Sequence, residues 1–203
     1  MRRRYPGSQK GQSLVEFSLI LPVILVMVLG MVELGFAISH NTTIETATRQ
    51  GARVGSQLVN GGGTLGCGTG KSPNWTTVDQ QIIAAVEGVL VSPGSPVDPS
   101  QVQSIKIFLA NASTGAMTAT LETWIPGTGP TLPGASHALH FKRDSGNWNA
   151  CSRTGVAPAA SIGVQIVYKY KFITPLGALV STLSSQQIIM NDQTVMAMEP
   201  PAQ

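Results

Sequence analysis

Charged and aromatic residues are scarce in this chain. Of its 203 residues, 11% are charged and 5% are aromatic. From His40 onward there are nine basic and eight acidic residues, and the basic ones do not form a cluster. A nucleic-acid interface needs a concentrated basic surface, so the sequence predicts that nucleic acid is not a partner.

The sequence also lacks a set of residues that would form a catalytic or ligand site. Gly66–Ser72 imitates a phosphate-binding loop, but Leu65 stands where that motif needs its first glycine. His137 and His140 have no cysteine or acidic residue at ligand spacing nearby, and Gly134–Ala138 lacks the second glycine of a nucleophile elbow. We therefore predict a protein that is not an enzyme and takes no cofactor, metal or small-molecule substrate.

A long apolar run is present near the N-terminus. No charged residue lies between Phe17 and Val32, and with its apolar flanks the run reaches about 20 residues, enough to span a bilayer. Pro22 is tolerated in a membrane helix. Basic residues precede the run, which predicts a cytoplasmic N-terminus, a single pass through the cytoplasmic membrane and an extracytoplasmic C-terminal part. These residues are Arg2, Arg3, Arg4 and Lys10.

An acidic residue, Glu16, stands just inside the apolar run. A carboxylate in hydrocarbon is costly unless it is paired, so its presence points to a function. Gly11 precedes Glu16-Phe17 by four intervening residues, a spacing that resembles the site where prepilin peptidases cut type IV pilin-like proteins after the glycine. Cutting there would create an amine at Gln12, which could pair with Glu16 of a neighbouring subunit. The alternatives are a Glu16 at the cytoplasmic headgroups and a secretory signal cleaved near residues 37–39.

The stretch from Gly11 to Gln57 resembles the TadE-like family, the pseudopilins or minor pilins of tight-adherence (Flp-type) pili. The resemblance rests on Gly11, Val15-Glu16-Phe17, Leu21-Pro22, Val32–Gly35 and Ala47–Arg53. A second match near the C-terminus covers Val164–Tyr170, Thr174–Leu176 and Met198-Glu199. It implies leader removal by a prepilin peptidase. It also implies work with other pilins or pseudopilins and an inner-membrane assembly platform, in pilus assembly or as a minor pilus component with a role in surface adhesion.

These features divide the chain into a basic leader (1–11), a transmembrane and extended N-terminal helix (12–58) and an exported α+β domain (59–203). If the chain is a pilin-like subunit, membrane lipid is one of its partners. The competing hypothesis is an uncleaved, membrane-anchored extracytoplasmic binding module that does not need Glu16. A bulky outer domain favours a minor or initiating position over the main shaft.

The exported part is predicted to contain a second helix packed on a mostly antiparallel sheet. Helical spacing of apolar residues runs from Thr76 to Val91, and Thr76 with Asp79 resembles a capping box. Period-two patterns predict strands over 105–109, 116–125, 162–172 and 187–198. Gly51 and Gly55 are potential breaks in the first helix, which is expected to end before Asn60–Gly63.

Two further expectations concern an acid and the cysteines. Glu33 lies roughly 31 Å along a helix that starts at Gln12, so we expect it at the outer headgroups, with a partner contact as the alternative. Cys67 and Cys151 are the only cysteines, and outside the cell a disulfide between them would stabilise the fold by about 4–5 kcal/mol. Free thiols or an intermolecular link are the alternatives.

Overall fold

The computed structural model describes residues 10–58, 75–153, 155, 160–175, 177 and 187–198. The helices are α1 (Lys10–Gln57) and α2 (Trp75–Leu90). The strands are β1 (Val102–Ala110), β2 (Met117–Pro126), β3 (Phe141–Gly146), β4 (Ser161–Lys171) and β5 (Gln187–Ala197). They form one antiparallel sheet in the order β3-β2-β1-β4-β5, which confirms the predicted α+β class.

The chain divides into two compact units. The first contains the part of α1 up to Ile38 together with the segment that begins at Lys171. The second contains residues from Ser39 to Tyr170 and the chain from Ile188 onward. The sheet and α2 therefore belong to the second unit, whereas α1 contributes residues to both.

Strand β4 supplies the centre of the core in the second unit. Alternate side chains from Ile162 to Tyr170 are buried, as the period-two spacing predicts. Strand β1 pairs with it in register, so that Ile105 lies opposite Ile166. Because paired residues point to the same side of a sheet, the buried side chains of both strands form one apolar face.

The two helices pack on this apolar face. Helix α2 buries its apolar stripe, which confirms the helical spacing predicted from the sequence. The buried residues are Val78, Ile82, Ile83, Val86 and Leu90. The residues of α1 in this unit bury Ile44, Ala47 and Ala52. The two-layer arrangement removes the apolar stripe of each helix and one face of the sheet from water.

Two glycines, Gly51 and Gly55, lie inside α1 and do not end it. A Cβ atom at Gly51 would lie 2.6 Å from Cγ2 of Val86, and one at Gly55 would lie 2.7 Å from Cδ1 of Ile162. Both distances are too short for real carbon atoms. The sequence suggested these glycines as weak points of the helix, but the structure uses them to bring α1 close to α2 and to β4.

Strand β3 is the element that the sequence did not predict. Its residues FKRDSG contain one buried apolar side chain, Phe141, followed by exposed Lys142, Arg143 and Asp144, so no apolar alternation marks it. The strand lies at the edge of the sheet and pairs with β2. Exposed charges are typical of edge strands because they discourage pairing with other chains.

Replacing Gly51 by alanine tests the close helix approach, and Gly88→Ala is its matched control. Both glycines are helical, but a Cβ at Gly88 meets nothing within 4 Å. We expect Gly88→Ala to raise the free energy of unfolding by up to about 1 kcal/mol. Gly51→Ala should lower it by about 1–3 kcal/mol, because the added methyl group collides with a stiff valine. Urea unfolding of the full chain in detergent, followed by tryptophan fluorescence, measures both.

Equal effects of the two substitutions would mean that the approach of α1 to α2 is looser than the structure shows.

Candidate functional site

The apolar part of α1 presents its side chains outward. From Leu14 to Ile38 nearly all large apolar side chains are exposed, including Leu19, Met31 and Leu34. Among the described residues, α1 is the one helix that is long and apolar enough to cross a membrane. Pro22 lies inside the helix without ending it. Apart from the side around Glu33, the surface of this part of α1 therefore fits lipid or apolar partner helices.

The predicted cleavage site lies in the first turns of α1. Gly11, Gln12, Glu16 and Phe17 are all helical and exposed, and a Cβ at Gly11 would meet nothing within 4 Å. In the described part of the chain Glu16 makes no ion pair. The leader residues 1–9 lie outside the described residues, so cleavage after Gly11 stays a prediction.

Glu33 is the second acid of the apolar helix, and its surroundings are different. Its side chain is only 5% exposed. The backbone N–H of Ile173 donates to Oε1 of Glu33 at 3.1 Å, and the N–H of Thr174 donates to Oε2 at 2.8 Å. The sequence predicted a headgroup-level carboxylate, with a partner contact as the alternative. In the structure the carboxylate binds the segment that follows β4 of the same chain, and its level in a membrane stays a prediction.

A buried ion pair anchors α2 in the second unit. Asp79 is 1% exposed and Arg153 is fully buried, with 2.7 Å between Oδ1 and Nη1. The guanidinium of Arg153 also stacks over the ring of Trp148 at 4.3 Å and donates to the Trp148 carbonyl. Burial raises the pKa of Asp79, and the charge of Arg153 opposes that rise. The predicted capping role of Asp79 is therefore wrong, because the side chain faces the core.

The spacing of apolar residues in α2 could have predicted that Asp79 is buried. Asp79 precedes Ile82, Ile83 and Val86 by three, four and seven residues, the spacing of one helix face. A residue on that face is buried when the helix packs, so an acid there needs a partner. Arg153 lies 74 positions away, and the sequence gives no indication that it is the partner.

Two more buried carboxylates hold loops of the sheet. Oε1 of Glu87 accepts hydrogen bonds from the N–H groups of His140, at 2.6 Å, and Phe141, at 3.2 Å. The carboxylate of Glu122 accepts from Nε of Arg143 at 2.6 Å and from the N–H of Trp148 at 2.9 Å. These contacts fix the chain on both sides of β3. Their geometry is that of structural anchors.

The sites set aside from the sequence gain no support. The rings of His137 and His140 lie 6.2 Å apart, and one nitrogen of His140 is 3.4 Å from Glu87. No group of three potential metal ligands occurs among the described residues. Gly66–Ser72 and Cys67 lie outside the described residues, so the disulfide between Cys67 and Cys151 stays a prediction.

Comparison with protein families recovers the resemblance inferred from the sequence. Residues 11–53 match the family model described as TadE-like protein. The matched residues, called the TadE-like segment below, include the predicted cleavage site, the apolar run, Glu33 and Gly51. Neither a curated protein nor a solved structure matches the chain. The second match expected near the C-terminus, over 164–170, 174–176 and 198–199, lies beyond the matched residues and stays a prediction.

The pH dependence of stability tests the anchoring role of Glu87. Burial raises the pKa of Glu87 above its ordinary 4.5, and hydrogen bonds from His140 partly oppose the rise. The folded protein therefore favours the protonated form. This contribution to stability is complete below about pH 4.5 and is lost as the pH rises through the folded-state pKa.

Glu87→Gln removes the titration but keeps an oxygen acceptor for the N–H groups of His140 and Phe141. We expect the unfolding free energy of the wild type, relative to that of this variant, to fall as the pH rises from about 4.5 through the raised folded-state pKa of Glu87. Urea titrations of both proteins at several pH values give this difference. A difference that grows with pH would contradict the burial of an ionisable carboxyl at this position.

Proposed function

We propose that this protein is a pseudopilin or minor pilin that acts in the assembly of a tight-adherence (Flp-type) pilus, or as a minor component of it, and contributes to surface adhesion. The observation that carries the proposal is the TadE-like segment, which begins at Gly11 of the predicted cleavage site. The apolar part of α1 would hold the subunit in the membrane and later pack against other pilin helices.

The geometry of the N-terminal turn supports processing and pairing at this position. Gln12 and Glu16 are one helical turn apart on the same face of α1. A prepilin peptidase that cut after Gly11 would place a new amine close to that carboxylate. Both groups are exposed in the subunit, so they are also available to the charges of neighbouring subunits. Such pairs contribute little net stability but penalise a wrong register.

The second unit supports a minor or initiating position with a structural role. It adds a five-stranded sheet and a second helix to the N-terminal helix, a bulk that would interrupt dense packing in a shaft. Its buried acids are engaged by an arginine or by backbone N–H groups, which suits structural support. Basic residues before the helix favour an inside N-terminus and an extracytoplasmic sheet domain.

The N-terminus of the mature chain is the first measurement that tests this proposal. We expect intact mass and N-terminal sequencing of protein from native membrane or pilus fractions to give a chain that begins at Gln12. A chain that begins at Met1 would favour the uncleaved binding module. A chain that begins near His40 would indicate a secreted domain and overturn the pilin proposal.

The role of Glu16 is tested by Glu16→Ala, with Glu45→Ala as the matched control. Glu45 lies on the same helix and pairs with Arg49 on the exposed surface. We expect Glu16→Ala to lower pilus assembly about tenfold or more, because an unpaired amine in an apolar interface is costly. Glu45→Ala should leave assembly unchanged, since exposed ion pairs contribute little. Pilus counts by electron microscopy report the result, and normal counts for Glu16→Ala would exclude the pairing role.

A further inference from the structure

We propose that the segment Phe172–Pro175, which follows β4, is a second membrane-contacting element that Glu33 holds against the lipid-facing helix. Its partner is the lipid of the outer leaflet, at the level where α1 leaves the hydrocarbon. This inference rests on the proposed membrane anchorage of α1. It assigns to Glu33 the task of satisfying backbone groups that have no access to water.

The position of Glu33 sets the level of the segment. The residues on either side of it along α1 are apolar and exposed, among them Val32, Leu34 and Phe36. Glu33 itself is buried by the segment that it binds. Since its two hydrogen bonds join α1 to Ile173 and Thr174 directly, these two residues lie at the same level as exposed apolar side chains of the helix.

The backbone of the segment has few unsatisfied donors. The N–H groups of Ile173 and Thr174 bind the Glu33 carboxylate, Pro175 has no N–H, and the N–H of Gly177 donates to the carbonyl of Thr174 at 3.1 Å. Non-helical backbone can approach hydrocarbon only when its polar groups are satisfied by protein. Residues 173–175 meet this requirement for their backbone donors, and the Glu33 carboxylate supplies two of the acceptors. Among the described residues the buried hydroxyl of Thr174 has no hydrogen-bond partner.

The two exposed residues of the segment, Ile173 and Pro175, are apolar. Ile173 is a large apolar residue, yet it is 58% exposed. Removing a side chain of this kind from water is favourable. Ile173 lies beside a helix surface that is itself suited to lipid. The acyl chains of the outer leaflet can therefore surround its exposed side chain. The membrane thus explains the exposed isoleucine and the buried acid together.

Site-specific photocrosslinking in the full chain tests this contact. The photoreactive p-benzoylphenylalanine replaces Ile173, and separate proteins carry it at Leu34 and at Ala112. Leu34 lies on the exposed surface of α1, and Ala112 lies in the exposed turn between β1 and β2. Each protein is reconstituted in vesicles of phosphatidylethanolamine and phosphatidylglycerol and irradiated. Mass spectrometry then detects lipid adducts.

We expect lipid adducts at positions 34 and 173 and none at 112. Adducts at 34 without adducts at 173 would overturn the membrane contact of the segment and leave the anchorage of α1 intact. An absence of adducts at both 34 and 173 would overturn the anchorage on which the inference rests. Adducts at 173 that contain only another protein chain would also overturn the proposed lipid contact of the segment.

Substitution of the acid tests the role given to Glu33. With the probe at position 173, Glu33→Leu should lower the yield of lipid adducts about tenfold, because two N–H groups lose their acceptors and are too costly to leave in hydrocarbon. Glu33→Gln keeps one acceptor oxygen and should give an intermediate yield. Glu45→Leu on the same helix is the control and should not change it. An unchanged yield with Glu33→Leu would show that the carboxylate does not hold the segment.

Discussion

Removing a carboxylate from water is costly unless other donors replace the water, and the arrangement of this protein depends on meeting that constraint. Each buried acid in the described part of the chain receives N–H groups or a guanidinium. Asp79 binds Arg153, Glu122 binds Arg143 and the backbone of Trp148, and Glu87 and Glu33 bind pairs of successive backbone N–H groups. These acids fix loop segments beside the strands and the edge strand β3, which the sheet holds on one side only.

Helix α1 has to suit two different environments along one continuous length. Up to Ile38 nearly all its large apolar side chains are exposed, as a membrane or a bundle of like helices requires. From Ser39 onward a stripe of small residues is buried, and glycines remove the side chains that would keep α2 and β4 away. Gly51 lies in this stripe and within the TadE-like segment. One family match thus covers residues suited to both environments.

The sequence predicted the parts of this structure that depend on local patterns. The alternation in β4 and the helical spacing in α2 gave the elements to within a residue or two, because each pattern lies in a short stretch. Strand β3 was not predicted, since an edge strand with one apolar residue exists only through its pairing with β2. Partners distant in sequence were also not predictable: Thr174 is 141 residues from Glu33. The spacing of Gly11 and Glu16 is local, which is why that candidate site could be identified.

The two acids of the apolar helix show what the structure adds to such a motif. By composition Glu16 and Glu33 are equivalent, each a single carboxylate in an apolar stretch, and a rule that such acids need partners applies to both. Glu33 finds its donors within the subunit, whereas Glu16 is exposed and makes no ion pair in the described part of the chain. An acid whose hydrogen-bond donors lie within its own subunit does not need donors from a neighbouring subunit. In the proposed function, the acid still available for pairing is the one that would favour a correctly placed second subunit, and it is also the one beside the predicted cleavage site.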